Sequence, residues 1–305
     1  MNTRQLQYAV MLAKHRNFSH VAEMLHITQP ALSKQILNLE KELDIKLFDR
    51  NSIPLKLTAA GDHFIKEAEQ LLYREGQLIR SMAQYKTGKK GRLEIGISPF
   101  RNLHLMPSII SKVKQEYTGI QVILHEAGSD QLRKDAAEGK YDFAIVNLPV
   151  DDSVLDIIPL EPEHLILAIP QSLASTLPLS GNPEVPEIDI AECGQLPFIV
   201  VAQPQEMRQY FDKLCAASGY TPNISIEVVG GITTAWSMAR AGLGATLLPS
   251  QFVSSNTFSE NLILAKIKNT DFIRQPVIVV KKDQYISEYT NYAIQLLKET
   301  CSKPN

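Results

Sequence analysis

Five polar side chains, Gln29, Ser33, Lys34, Asn38 and Lys41, recur at spacings that place them along one side of a helix. Amide, hydroxyl and ammonium groups are the donors and acceptors that meet base edges and phosphates when a helix lies in a major groove. The other side carries Leu32, Ile36, Leu39 and Leu43, the stripe such a helix buries. A second set of polar residues follows short apolar runs further along the chain: Ser98, Arg101, Ser129, Asn147, Gln203 and Thr233. In open α/β sheets ligands sit beyond the carboxyl ends of strands, which is where this set falls, with Phe100 and Ile232 beside it. Ser129 and Thr233 lie near expected helix N-termini, whose free N–H groups favour an anion, and Arg101 offers a cation.

Bond-making chemistry has no comparable signature. The sequence holds no HExxH, Walker loop or GxSxG elbow, so no catalytic residue is expected. Gly242-Leu243-Gly244 follows a helical pattern and precedes a strand, the reverse of a dinucleotide loop, and reads as a helix C-cap. The seven histidines are scattered, and Cys193, Cys215 and Cys301 show no metal-ligand spacing. No metal and no cofactor are therefore expected.

The elements that must carry these residues begin with a helix pair. Ser19 is placed to cap a short helix through Leu25, and Thr28 a second that starts Gln29-Pro30. Only His26 and Ile27 separate them, the short turn of a helix-turn-helix, with small Ala22 at the crossing. Leu47-Phe48-Asp49-Arg50 and Leu55-Lys56-Leu57 read as two strands of a wing. A helix then runs from Thr58 to about Tyr85 with two apolar stripes: Phe64, Ala68, Leu71, Leu78, Met82 and Tyr85, and Ile65, Leu72 and Ile79. Two stripes need two partners, which the winged domain and a second copy of the helix would supply. After a Gly88 to Gly91 hinge, apolar runs such as Leu93–Ile97, Phe143–Val146, Leu165–Ile169 and Val277–Val280 alternate with helical patterns, predicting α/β structure with a mostly parallel sheet. Pro178 to Pro197 reads as an irregular surface excursion.

At 305 residues the chain suits about two domains, and 44% hydrophobic with 21% charged residues is ordinary globular composition. Its apolar runs fall far short of the ~18 residues that span a membrane. With no signal-peptide core at the N-terminus and no cysteine framework, a reduced cytoplasmic setting is expected. The net charge of −2 conceals an asymmetry. Residues 1–92 carry 15 Lys/Arg against 9 Asp/Glu, a net +6, and residues 93–305 carry 16 against 24, a net −8. A basic head on an acidic body suits a polyanion bound by the head alone.

Arg4, Leu6, Phe18-Ser19, Ala22, Thr28-Gln29-Pro30-Ala31-Leu32-Ser33, Gln35-Ile36, Leu39-Glu40, Leu43, Leu47-Phe48, Arg50 and Leu57-Thr58-x-x-Gly61 closely resemble the LysR-type transcriptional regulators. Looser matches run to the end of the chain: Leu93-x-Ile95-Gly96, Tyr117-x-Gly119-Ile120, Gly139-x-x-Asp142 and Gly242-x-Gly244-x-x-x-x-Pro249. Lys34 stands where the family often has arginine, so a bidentate guanine contact becomes a point charge. Leu37 lies on a face that is often basic, and Thr118 replaces a frequent proline.

The resemblance implies a mainly α winged helix-turn-helix over 1–58, a linker and dimerisation helix over 59–87, a hinge over 88–92, and an effector-binding region over 93–305. That region would have two α/β lobes like those of periplasmic solute-binding proteins, lobe I at about 93–161 and 266–305 and lobe II at about 162–265, with crossings near Glu161 and Ala265. The implied function is sequence-specific transcriptional regulation controlled by a small molecule, expected to be an anion, between the lobes. The alternative is a metabolite-binding protein or enzyme with an autoregulatory DNA-binding head. Gln29, Pro30, Ser33, Lys34, Asn38, Arg50 and Lys56 would meet DNA, Arg50 in the minor groove or on phosphate. Ser98, Phe100, Arg101, Ser129, Asn147, Gln203, Ile232 and Thr233 would meet the effector, Ser98 at a position the family uses for this. Phe64, Leu71, Leu78 and Met82 would pair linker helices antiparallel. Partners implied are an interrupted palindromic duplex, a homodimer or homotetramer and, for an activator, RNA polymerase; no membrane is involved.

Overall fold

The computed structural model describes the chain except residues 51, 53, 88–89, 184, 251–260, 269–271 and 302–305. It forms two units, Met1–Thr87 and Gly88–Asn305. In the first, α1 (Thr3–His15), α2 (Phe18–Met24) and α3 (Gln29–Leu43) precede an antiparallel hairpin of β1 (Phe48–Asp49) and β2 (Lys56–Leu57), and α4 (Ala59–Thr87) follows. Side chains cap the first three helices: Asn2 accepts from Gln5 N, Asn17 from His20 N and Thr28 from Ala31 N. The cap of α2 is therefore Asn17 and not Ser19, which lies inside the helix. Leu12, Val21, Leu32, Ile36, Leu39, Leu47 and Phe48 close a single core.

Thr58 starts α4, its hydroxyl accepting from Gly61 N at 2.9 Å and donating to Lys46 O at 2.7 Å. A Cβ at Gly61 would lie 2.0 Å from the Leu47 carbonyl oxygen, so only glycine lets the helix leave the core here. The first turns of α4 bury Ile65 and Ala68. Phe64 also packs on the winged core, correcting its assignment to a helix-pairing face, because it lies one turn past the contact at Gly61. Beyond it Leu71, Leu78, Ile79 and Met82 are 52%, 60%, 64% and 51% exposed.

The second unit has two lobes. Lobe I contains β3 (Lys90–Ile97), α5 (Pro99–Glu116), β4 (Gly119–Glu126), α6 (Ser129–Ala137), β5 (Phe143–Asn147) and β6 (Leu155–Pro159). The chain crosses at Leu160–Pro162 into lobe II: β7 (Glu163–Pro170), α7 (Gln171–Ala174), β8 (Ser180–Asn182), β9 (Val185–Ile188), β10 (Pro197–Val201), α8 (Glu206–Ala217), β11 (Asn223–Val228), α9 (Ile232–Arg240), β12 (Thr246–Pro249), β13 (Leu262–Ile267) and β14 (Ile273–Arg274). It returns to lobe I as β15 (Pro276–Lys281) and α10 (Glu288–Cys301). Strand order is β4-β3-β5-β15-β6 in lobe I and β12-β7-β13-β9-β8 in lobe II, where β10 and β11 pair with each other.

Four sequence expectations are corrected here. The sheets are mixed, not mostly parallel: β15, which re-enters lobe I, is antiparallel to β5 and β6, and within lobe II β12 and β13 are antiparallel to β7, the strand that enters the lobe. The second crossing lies at Gln275, since Ala265 sits within β13 opposite Leu167. Gln275 donates to Leu160 O at 2.6 Å, tying the two crossings together. The proline-rich stretch holds β8 and β9, and its Ile188, Ile190, Cys193 and Leu196 are buried. Pro186 faces Gly181 in this short hairpin at the sheet edge, where a missing N–H is tolerated. Of the expected hinge, Gly88 and Lys89 lie outside the described residues, while Lys90, Gly91 and Arg92 open β3.

Candidate functional site

In the first unit, helical period puts Gln29, Pro30, Lys34, Asn38 and Lys41 on the exposed side of α3 and buries Leu32, Ile36, Leu39 and Glu40. The Glu40 carboxylate is only 7% exposed and joins helix to wing: it accepts from Leu47 N at 2.8 Å, Phe48 N at 3.1 Å and Arg50 Nη2 at 3.0 Å. Arg50 also donates to Ser33 Oγ at 3.3 Å and lies 5.4 Å from the Phe18 ring centroid. The geometry thus gives Arg50 a bracing position between wing and α3, where the sequence had placed it toward the duplex. Ser33 is partly buried beneath it, and Lys56 is exposed on β2. Lys34, Lys41 and Lys56 remain as cations that reach solvent, as a polyanion site requires.

In the second unit, a cavity of about 570 Å³ opens between the lobes. The N-termini of four helices line it, through Ser98–Arg101 of α5, Gly128–Gln131 of α6, Gln205–Met207 of α8 and Gly231–Thr233 of α9. None of the four has a side-chain cap hydrogen bond, in contrast to α1, α2 and α3. Four positive dipole ends with uncapped first turns therefore share one space, an arrangement that favours a negative guest. Thr233 Oγ1 is buried at the wall and makes no hydrogen bond among the described residues.

The arginine expected to supply charge is already engaged. Arg101 is 4% exposed, and its guanidinium donates to Glu163 at 2.8 and 2.9 Å and to Asn147 Oδ1 at 2.7 Å. Arg274 reaches Glu163 at 3.3 Å and Glu206 at 3.2 Å, and Asn147 Nδ2 donates to Glu206 at 2.6 Å. Two arginines and two carboxylates balance within this network, so Arg101 presents no free charge to a ligand, correcting that part of the sequence reading.

Of the expected effector residues, Ser98, Phe100, Arg101, Ser129, Ile232 and Thr233 line the cavity, and fully buried Asn147 joins the wall through its hydrogen bonds. Gln203 does not: its amide donates to Asp212 at 2.7 Å, away from the lining. Glu163, Glu206 and Arg274 were missed. Their signal was positional, for Glu163 and Arg274 flank the crossings and Glu206 is an acid in the first turn after β10. Cys193, Cys215 and Cys301 are buried and none lines the cavity, although Cys301 lies close enough to Arg101 and Glu163 to feel their charges; burial pushes the three thiol pKa values up to about 12, 11 and 11. Among the described residues no group of three or more His, Cys, Asp or Glu could hold a metal, and no helix is long and apolar enough to cross a membrane.

A winged helix-turn-helix with an exposed polar recognition face, joined to a two-lobed α/β receptor, defines a DNA-binding transcriptional regulator with an effector-binding domain. Residues 3–62 match the bacterial regulatory helix-turn-helix protein, lysR family, and residues 86–302 match the LysR substrate binding domain; the chain belongs to the LysR family. It is 30% identical over 315 residues to an uncharacterized HTH-type transcriptional regulator, YcgK, of Bacillus subtilis (strain 168), covering 98% of this chain and 95% of the relative. To the dual regulator OxyR of Escherichia coli (strain K12) it is 32% identical over 251 residues, covering 82% and 79%. Similar solved structures include full-length CbnR complexed with its target DNA, with a TM-score of 0.62 at 18% identity, covering 98% of this chain and 100% of that chain. A full-length OxyR variant from Pseudomonas aeruginosa has a TM-score of 0.64 at 23% identity, covering 99% and 96%. These two likenesses are of fold. Regulators of the family bind DNA and form oligomers.

Proposed function

We propose that this regulator is a cytoplasmic homo-oligomer that reads an interrupted palindrome with α3 and is controlled by a small anion bound between the lobes of its second unit. The observation that carries the effector half is the convergence of four uncapped helix N-termini on one cavity. A ligand touching both lobes changes their closure by its differential affinity for the two arrangements, and that is the only way it can act on DNA binding. Pairing would use the exposed Leu71, Leu78, Ile79 and Met82 stripe, as a homodimer or as the unit of a homotetramer, with RNA polymerase a further partner if the protein activates. One relative is named a hydrogen peroxide-inducible genes activator. Here buried thiols with raised pKa values argue for ligand binding over thiol oxidation as the signal.

The test is a thermal-shift screen of the full chain against small organic acids, followed by calorimetry on Ser98→Ala and Thr233→Val. Binding to the native state raises Tm by mass action. Each substitution is expected to cost about 1 kcal/mol of affinity, roughly fivefold, with the fold unchanged. Unaltered affinity in both variants would place the site elsewhere.

A further inference from the structure

The cavity contains a negative group that belongs to the protein. Glu206 opens α8 in lobe II, yet its Oε2 accepts from Asn147 Nδ2 at 2.6 Å and Ser129 Oγ at 3.4 Å, both in lobe I, and from Arg274 Nη2 at 3.2 Å. Three donors from β5, α6 and β14 thus converge on one carboxylate oxygen. The same wall keeps unused capacity: Arg274 is 6% exposed, and its Nε makes no hydrogen bond among the described residues. A buried guanidinium N–H without an acceptor is costly to leave so, and it marks a place where an acceptor fits.

We propose that Glu206 is a built-in occupant of a carboxylate seat, and that the effector is a small organic acid whose carboxylate exchanges with it. This rests on the reading of the inter-lobe cavity as the effector site. With Glu206 seated, Arg101, Arg274, Glu163 and Glu206 sum to zero charge. With it swung out, Arg274 keeps only Glu163 and the network is left at +1, which an incoming anion restores. A second carboxylate oxygen would meet Arg274 Nε, while the remainder of a small acid extends toward Thr233 Oγ1. Exchange also replaces a link between lobes made by the protein with one made by the ligand. The seat therefore couples occupancy to lobe geometry, and a neutral ligand of the same shape leaves Glu206 in place.

Chemical complementation tests this in the full chain. Glu206→Ala removes the atoms of acetate, and Glu206→Gly those of propionate. Acetate with the first variant, or propionate with the second, at about 100 mM is expected to raise Tm by about 2–4 °C over chloride at equal ionic strength. Wild type, whose seat is filled by its own carboxylate, is expected to move by less than about one degree, and acetamide to have no effect on any of them. Folded variants that ignore both acids, or wild type that responds as strongly as they do, would overturn the exchange. The Ser98 and Thr233 calorimetry stands apart from this result: an acid lost on those substitutions but indifferent to Glu206 would keep the cavity as the effector site and reject the seat.

Discussion

Lys34 ends in solvent, whereas the guanidinium of Arg50 is held by Glu40, Ser33 and the face of Phe18. Lys34→Ala is expected to lower the salt dependence of DNA binding by about one phosphate equivalent and leave Tm unchanged. Arg50→Ala, by stripping a buried carboxylate of its partner, is expected to cost about 1–3 kcal/mol of stability in denaturant unfolding. Equal stability of the two variants would contradict the bracing role. His104 sits edge-on to Phe100 and Trp236, and burial pushes its pKa down to about 4. Between pH 6.5 and about 4 the unfolded chain takes up a proton there that the folded chain refuses, so stability falls across that window and levels off below it. The stability of wild type relative to His104→Gln is expected to be level above about pH 6.5 and to fall as the pH drops from there to about 4; parallel curves would show that His104 titrates normally. The exposed face of α3 was legible in the sequence because helical period decides it, while the partner of Arg101 was not, lying 62 residues away.

At the scale of elements, α4 does two things along its length. Its first turns belong to the winged core, whereas further along Leu71, Leu78, Ile79 and Met82 are each more than half exposed. A carboxylate at position 71 is solvated in the monomer and desolvated in a pair. Leu71→Asp is accordingly expected to leave the circular dichroism spectrum and monomer fold intact, to dissociate the oligomer in sedimentation, and to weaken operator binding, since each head would keep one half-site. An intact dimer would contradict this pairing face. Both stripes of α4 could be read from spacing, yet Phe64 changed sides because period alone does not say where a helix leaves its own core. β6 went unread for a related reason: it is only partly buried and Asp156 interrupts it, so it lacks the continuous apolar run of a central strand. The short β8 and β9 were hidden by prolines that an edge position tolerates.

For the whole molecule, the division of charge anticipated the division of labour. Counted by unit, residues 1–87, which carry α3, hold 12 Lys/Arg against 9 Asp/Glu, and residues 88–305, which carry the cavity, hold 19 against 24. Fold class and the two-part organisation were legible from dense local patterns. The network of Arg101, Glu163, Arg274 and Glu206 was not, because the two crossings bring together residues that no local spacing links. On the function proposed above, the exposed face of α3 reads DNA as part of a symmetric pair. In vitro selection of random duplex DNA by the full chain tests it most directly, run beside a variant changed together at Gln29, Ser33 and Lys34. The intact chain is expected to enrich two inverted half-sites separated by a spacer, because a two-fold pair of heads meets two-fold related sequences. The variant is expected to lose that motif while remaining folded and oligomeric. Enrichment of the same motif by both proteins, or of no motif by the intact chain, would contradict the account.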